Sequence, residues 1–353
     1  MEFRNLTPFP ALCFSALDPA DQEHRVIVMK VTYRLLPGKQ GYGMAELVEE
    51  NPAPLCMADE YLGEPGQSET YCESDLAPYK PRCDVILRGN AYAPQSQAAP
   101  QWVVRLQLRS PEDNDGNRAV LMDKTLNIAG ESTFYKRPLI GWKRTDPTPA
   151  TQVRLGWDKA FGGRCLIPNT DDKQQPPLLN EVCFSNPLGV GWMDERWSAI
   201  AKKAGLPMPE RIPAPQIESP DNALVAPFII RNPDGDLDAK VMAAVAEGYG
   251  HKPAGFGVVG RSWAPRLALA GTYDAAWKRK DPPGLPADFD FAYWNCAPVD
   301  QQTDYPLPGF SIRLLNLTPP SHAVDGLYGI ELPKHRAFVL LRMHNGVLLP
   351  LPL

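Results

Sequence analysis

Strict alternation of apolar and polar side chains marks residues 102–109, WVVRLQLR. Trp102, Val104, Leu106 and Leu108 fall on one side of an extended chain, with Val103, Arg105, Gln107 and Arg109 on the other. A period of two is the signature of a half-buried strand. Residues 25–36 (RVIVMKVTYRLL) also alternate and are rich in β-branched side chains. Residues 119–128 and 134–143 read as continuations that pair with 102–109 as a meander. A further strand is expected at 311–317, with Ile312 and Leu314 sharing one side. Near the end, 337–344 meets Asn345-Gly346 and then Val347-Leu348-Leu349, a hairpin signal because both turn residues accept positive φ. Helical signals are few. Residues 194–204 (DERWSAIAKKA) begin with acids and end with lysines before Gly205, which suits the helix dipole and a glycine stop. Residues 236–247 are alanine-rich and end before Gly248, and 273–278 have room for one or two turns.

Proline changes this picture. The chain has 39 in 353 residues, about twice the ~5% norm. Proline removes a backbone donor and fixes φ, so it is excluded from helix interiors and central strands. Spread evenly, it predicts short elements joined by long, rigid connections. The expected fold is therefore mainly β, with antiparallel, sandwich-like sheets, two or three short helices and ordered proline-rich loops. Residues 165–225 are the most irregular stretch, yet glycine-rich strings lie at or inside its edge, so an ordered, packed connection is expected. Residues 1–353 read as one cooperative unit. Two lobes, a β-rich 1–150 and an irregular 151–353, are the alternative.

Composition excludes several function classes. A net charge of −5 without a basic stripe argues against nucleic-acid binding. No apolar run approaches the ~18 residues of a membrane span. The first residues lack a basic region followed by a continuous apolar stretch, so a cytoplasmic protein is expected. Seven cysteines without a Cys-x-x-Cys pair read as reduced thiols, with Cys72 and Cys83 within reach of one another across a turn.

Candidate chemistry is sparse. Residues 255–260 (GFGVVG) have the spacing G-x-G-x-x-G, but a dinucleotide site needs a strand before the turn and a helix after it. Lys252-Pro253 and Arg261 to Pro265 supply neither, so tight-turn glycines that let Phe256 or Trp263 pack closely are the better reading. Asp288, Asp290, Asp300 and Asp304 come nearest to a catalytic or metal constellation. Asp288-Phe-Asp290 follows Pro286, however, where Asp caps turns through the backbone. Arg266 with Asp274 and Asp290 suggests an internal arginine–carboxylate network. The histidines have no metal-ligand spacing, and neither a nucleophile elbow nor a Walker loop is present. No cofactor is implied.

The strings YCESDLAPYKPRCDVILRGNAYAP (71–94), AFGG (160–163), NPLGVGW (186–192), PAGFG (253–257), SWAPR (262–266), GTYDAAW (271–277), LPADFD (285–290) and APVDQ (297–301) occur in fixed order. Together they resemble a bacterial domain-of-unknown-function family found in type VI secretion gene clusters, over roughly residues 71–333. Some members of that family are adaptors or chaperones that load toxin effectors onto the secretion spike. The resemblance implies a non-enzymatic cytoplasmic adaptor for an effector toxin, through a spike-tip-like domain, with the spike protein as a further partner. It also implies at least one more strand beyond the final Leu-Pro-Leu-Pro-Leu. Aromatic and charged residues in these strings are the candidate partner-binding or structural positions: Tyr79, Tyr92, Phe161, Trp192, Phe256, Trp263, Arg266, Trp277, Asp288, Asp290 and Asp300. The competing expectations are a hydrolase or lyase using the carboxylates at 288–304, and a structural subunit of the secretion apparatus.

Overall fold

The computed structural model describes residues 2–169, 175–207, 209–279, 284–342 and 347–352. Its largest element is a seven-stranded sheet built from β1 (Tyr33–Leu36), β2 (Tyr42–Leu47), β3 (Gln101–Arg109), β4 (Val120–Ala129), β5 (Ile217–Glu218), β6 (Ser311–Leu315) and β7 (Leu327–Glu331). Their spatial order is β5-β4-β3-β6-β7-β2-β1, antiparallel throughout except for the parallel pair β7–β2. The alternation at 102–109 does what it predicts. Trp102, Val104, Leu106 and Leu108 are buried with Leu126, Ile128, Leu314 and Ile330 in one core. The layer opposed to the sheet is made of the short strands Asn90–Tyr92 and Gln152–Arg154, together with Val85, Leu87 and Phe256 from loops. Proline-rich chain thus covers the sheet without long strands.

A second core gathers Phe134, Phe161, Ile167, Trp192, Ile212 and Tyr249 with helices α1 (Arg196–Lys203), α2 (Ala239–Glu247) and α3 (Ala264–Leu267). Asp238 caps α2 by accepting from the Val241 amide at 2.8 Å. Between the cores, Trp157 and Trp263 meet edge-on at 5.3 Å, and Ala160, Val259 and Leu188 pack with them. Residues 256–264 run from the first core at Phe256, through this cluster, to the second core at Ala264. The sheet and the first core draw on residues from both sides of position 150.

The structure corrects several expectations. Residues 25–36 form two strands, Glu23–Met29 and Tyr33–Leu36, which belong to different sheets. The first of these pairs with Ala11–Leu17, a strand not expected from sequence. The meander ends after two strands, because Thr133–Arg137 leaves the sheet to pair with Gly141–Arg144 and Arg211–Pro213. Its Phe134 enters the second core instead. At the end, Phe338–Arg342 pairs with Leu348–Pro352, while Asn345-Gly346 lies outside the described residues. The irregular stretch after 165 contains strands, α1 and buried side chains, as an ordered connection requires.

Candidate protein-binding face

The sequence-selected acids do not converge. Asp288 accepts from the Thr272 amide and hydroxyl, each at 2.8 Å, and from Lys240 at 2.9 Å. These bonds hold its carboxyl well below the ordinary carboxylate range. Asp290 caps the short turn Phe291–Trp294 by accepting from the Ala292 amide at 2.8 Å. Asp300 pairs at 2.8 Å with Lys124, whose buried ammonium also donates to Gln301. Asp304 pairs with Arg82. Four acids close in sequence therefore serve four separate local tasks. Among the described residues no group of three His, Cys, Asp or Glu side chains is placed to hold a metal.

The expected arginine network exists with a different partner. Arg266 binds both oxygens of Glu73 and also donates to the carbonyls of Tyr293 and Val259. Asp274 instead caps the turn at Ala276 and Trp277, and Asp290 caps its own. Glu73 also faces Arg261, which pairs with Asp59 at 3.0 Å and lies over the Trp294 ring.

Most of the selected aromatics are packing residues. Phe161, Trp192, Phe256 and Trp263 are buried. Tyr92 is half-buried in the strand that covers the sheet, and Trp277 is half-buried with its indole donating to the Gly284 carbonyl. Tyr79 alone of this set is a widely exposed aromatic, set edge-on to Phe291. The glycines at 255, 257 and 260 are needed for close approach. A Cβ at Gly255 would lie 3.0 Å from Trp157, and one at Gly260 would lie 2.6 Å from Trp263.

A cleft of about 440 Å³ is lined by Leu62, Glu69, Arg154, Asp158, Arg164 and Leu188. Arg154 there is matched by both Glu69 and Asp158, while the Arg164 guanidinium donates to the neutral Asn180 carboxamide.

The surface that stands out is the second side of the seven-stranded sheet. Register places Tyr42, Gly329, Arg313, Gln107 and Asp123 in one row across β2, β7, β6, β3 and β4. A neighbouring row runs Leu327, Leu315, Arg105 and Thr125. Tyr42 is 64% exposed, Met44 68% and Leu327 53%, and Val103 and Arg313 also face solvent. Tyr42 sits beside the bare backbone of Gly329, where a Cβ would be 3.6 Å from its ring. The polar members tie to one another, with Arg105 and Gln107 both donating to Asp123. The result is an exposed sheet surface carrying an aromatic, a methionine and an arginine on paired strands.

Sequence reasoning missed this face for a physical reason. In β2 the large side chains Tyr42 and Met44 point outward, and the small Gly43 and Ala45 point toward the core. A Cβ at Gly43 would lie 2.0 Å from the Tyr328 hydroxyl, so the core side has no room for more. Alternation of large with very small residues was the available signal.

A family model described as an uncharacterized protein conserved in bacteria, DUF2169, matches residues 20–351. The chain belongs to this family. Searches of curated proteins and of solved structures give no significant match. For a DUF2169 member the match takes in every strand of the seven-stranded sheet, both cores and the exposed face. No helix among the described residues is long and apolar enough to cross a membrane.

Proposed function

We propose that this DUF2169 protein is an adaptor that holds another polypeptide against the open face of its seven-stranded sheet. The cargo we infer is a type VI secretion effector carrying a spike-tip-like domain, kept by the adaptor until the spike receives it. The resemblance of the ordered sequence strings to effector-loading members supports the cargo class. The observation that carries the binding mode is the row of Tyr42, Gly329 and Arg313 beside exposed Met44 and Leu327. Aromatic, methionine and arginine side chains are enriched at protein interfaces because they combine large contact area with a polar handle. Strands hold them in place before binding, which reduces the ordering cost of association.

The test is affinity capture with the full chain and an effector encoded beside its gene, followed by quantification of the complex. Stoichiometric retention of the effector is expected. The double variant Tyr42→Ala, Arg313→Ala should weaken retention by at least about tenfold at unchanged thermal stability. A variant that binds as well as the parent places the contact elsewhere, and an effector that is never retained removes the adaptor reading.

A further inference from the structure

Cys72 does not meet Cys83, which sits on the strand Cys83–Asp84 paired with Gln302–Thr303. Its neighbour is Cys56. The Cys56 thiol lies 3.0 Å from the Ala58 carbonyl and 3.9 Å from the Cys72 carbonyl, so its sulfur sits against the backbone of Cys72 itself. Cys72 is the fixed end of the small hairpin formed by Glu60–Tyr61 and Thr70–Cys72, with Glu60 opposite Cys72. The Cys56 amide is tied at 2.7 Å to Asp75, and Asp75 returns its own amide to the Cys56 carbonyl at 2.8 Å. Cys72 is therefore held by the hairpin ladder, and Cys56 by its bonds with Asp75, three residues beyond Cys72 along the chain.

We propose that Cys56 and Cys72 form a redox-modifiable pair that closes to a disulfide when the protein meets a disulfide oxidant such as oxidised glutathione. Cys72 is half-buried and Cys56 buried, so Cys72 reacts first. Its thiolate attacks one glutathione sulfur, expels the other as a thiolate and leaves a mixed disulfide. The Cys56 thiol gives its proton to water and attacks the Cys72 sulfur, releasing the second glutathione. Two protein thiols are oxidised by two electrons, and one glutathione disulfide is reduced to two thiols. Burial, followed by the neighbouring Cys72, pushes the Cys56 thiol up to about 12, so the second step accelerates as pH rises.

The linked segment has a defined place in the molecule. Asp59, Glu73 and Asp75 lie within or just beyond it and hold Arg261, Arg266 and Lys30 respectively. Leu62, Gln67 and Glu69 of its loop line the 440 Å³ cleft. Closure fastens the acidic clasp and one wall of that cleft together.

The full chain, incubated with oxidised glutathione at neutral and mildly alkaline pH, is then alkylated in denaturant and peptide-mapped. The expected result is that two of the seven cysteines escape alkylation in a single Cys56–Cys72 cross-linked peptide, which forms faster at the higher pH. The thermal midpoint should rise by about 5 °C. Cys72→Ser, at a half-buried site, and Cys56→Ala should each abolish both effects, while Cys13→Ser leaves them intact. Alkylation of all seven thiols, glutathione retained on Cys72 without closure, or a bridge joining any other pair overturns the proposal.

Discussion

Every donor nitrogen of Arg266 meets an acceptor inside the protein, and the carboxylate it binds is as buried as the guanidinium. Removing one member leaves an uncompensated buried charge. Arg266→Ala is therefore expected to cost about 3–5 kcal/mol in denaturant unfolding. Arg266→Lys should recover little, because an ammonium cannot reproduce the planar fork. A loss below about 1 kcal/mol would mean that water already reaches the pair. The sequence pointed to Arg266 as a network residue but not to Glu73, which lies 193 positions away. A pairing of that range leaves no local pattern, whereas the caps at Asp288 and Asp290 were legible from a neighbouring proline and the reach of a short side chain. Asp84 sets an acid limit at the same scale. Burial pushes its carboxyl up, but the Lys80 charge at 2.8 Å and the bonds from Cys296 and Asn295 outweigh this and hold it below the usual range. Its contribution is fully present above the unfolded carboxyl value near pH ~4 and is lost as pH falls through the folded value. Asp84→Asn should flatten the acid limb of a stability-against-pH curve, and an unchanged limb would remove Asp84 from the account.

Short elements here depend on a few side-chain bonds and close approaches. Asp290 caps the turn Phe291–Trp294, and the Tyr293 carbonyl in that turn accepts from Arg266. Asp290→Ala should destabilise by about 1 kcal/mol, and Asp290→Asn, which keeps the accepting oxygen, by much less. Equal losses in the two variants would indicate that the charge itself matters. Gly260 leaves no space beside Trp263, so Gly260→Ala should cost about 1–3 kcal/mol through displacement of the indole. Strand existence was well marked wherever large apolar side chains alternate, as in β3 and β4. It was poorly marked in Phe161–Gly162 or Cys83–Asp84, which are two residues long and held by partners far away in the chain.

The molecule as a whole has two cores joined through the Trp157–Trp263 contact. A buried tryptophan at such a junction affects both sides. Trp263→Ala should cost about 3–5 kcal/mol and separate the unfolding of the two cores, seen as non-coincident transitions by fluorescence and circular dichroism. Coincident transitions in the variant would mean that the rest of the interface suffices to couple them. Mainly-β character was legible from the strand periodicity and the proline content. The division into two cores was not, because the first core gathers residues from Ala91 to Ile330.

The parallel pairing of β2 with β7 also bears on the order in which the protein is made. Residues of the second core lie between Phe134 and Ala264, so they leave the ribosome as one block. Tyr42–Leu47 must wait until Leu327–Glu331 has been synthesised, roughly 280 residues later, a delay of about 15–60 s at ordinary elongation rates. Through that interval Tyr42–Leu47 has only its hairpin partner Tyr33–Leu36 beside it, and the second core has all its residues before the first does.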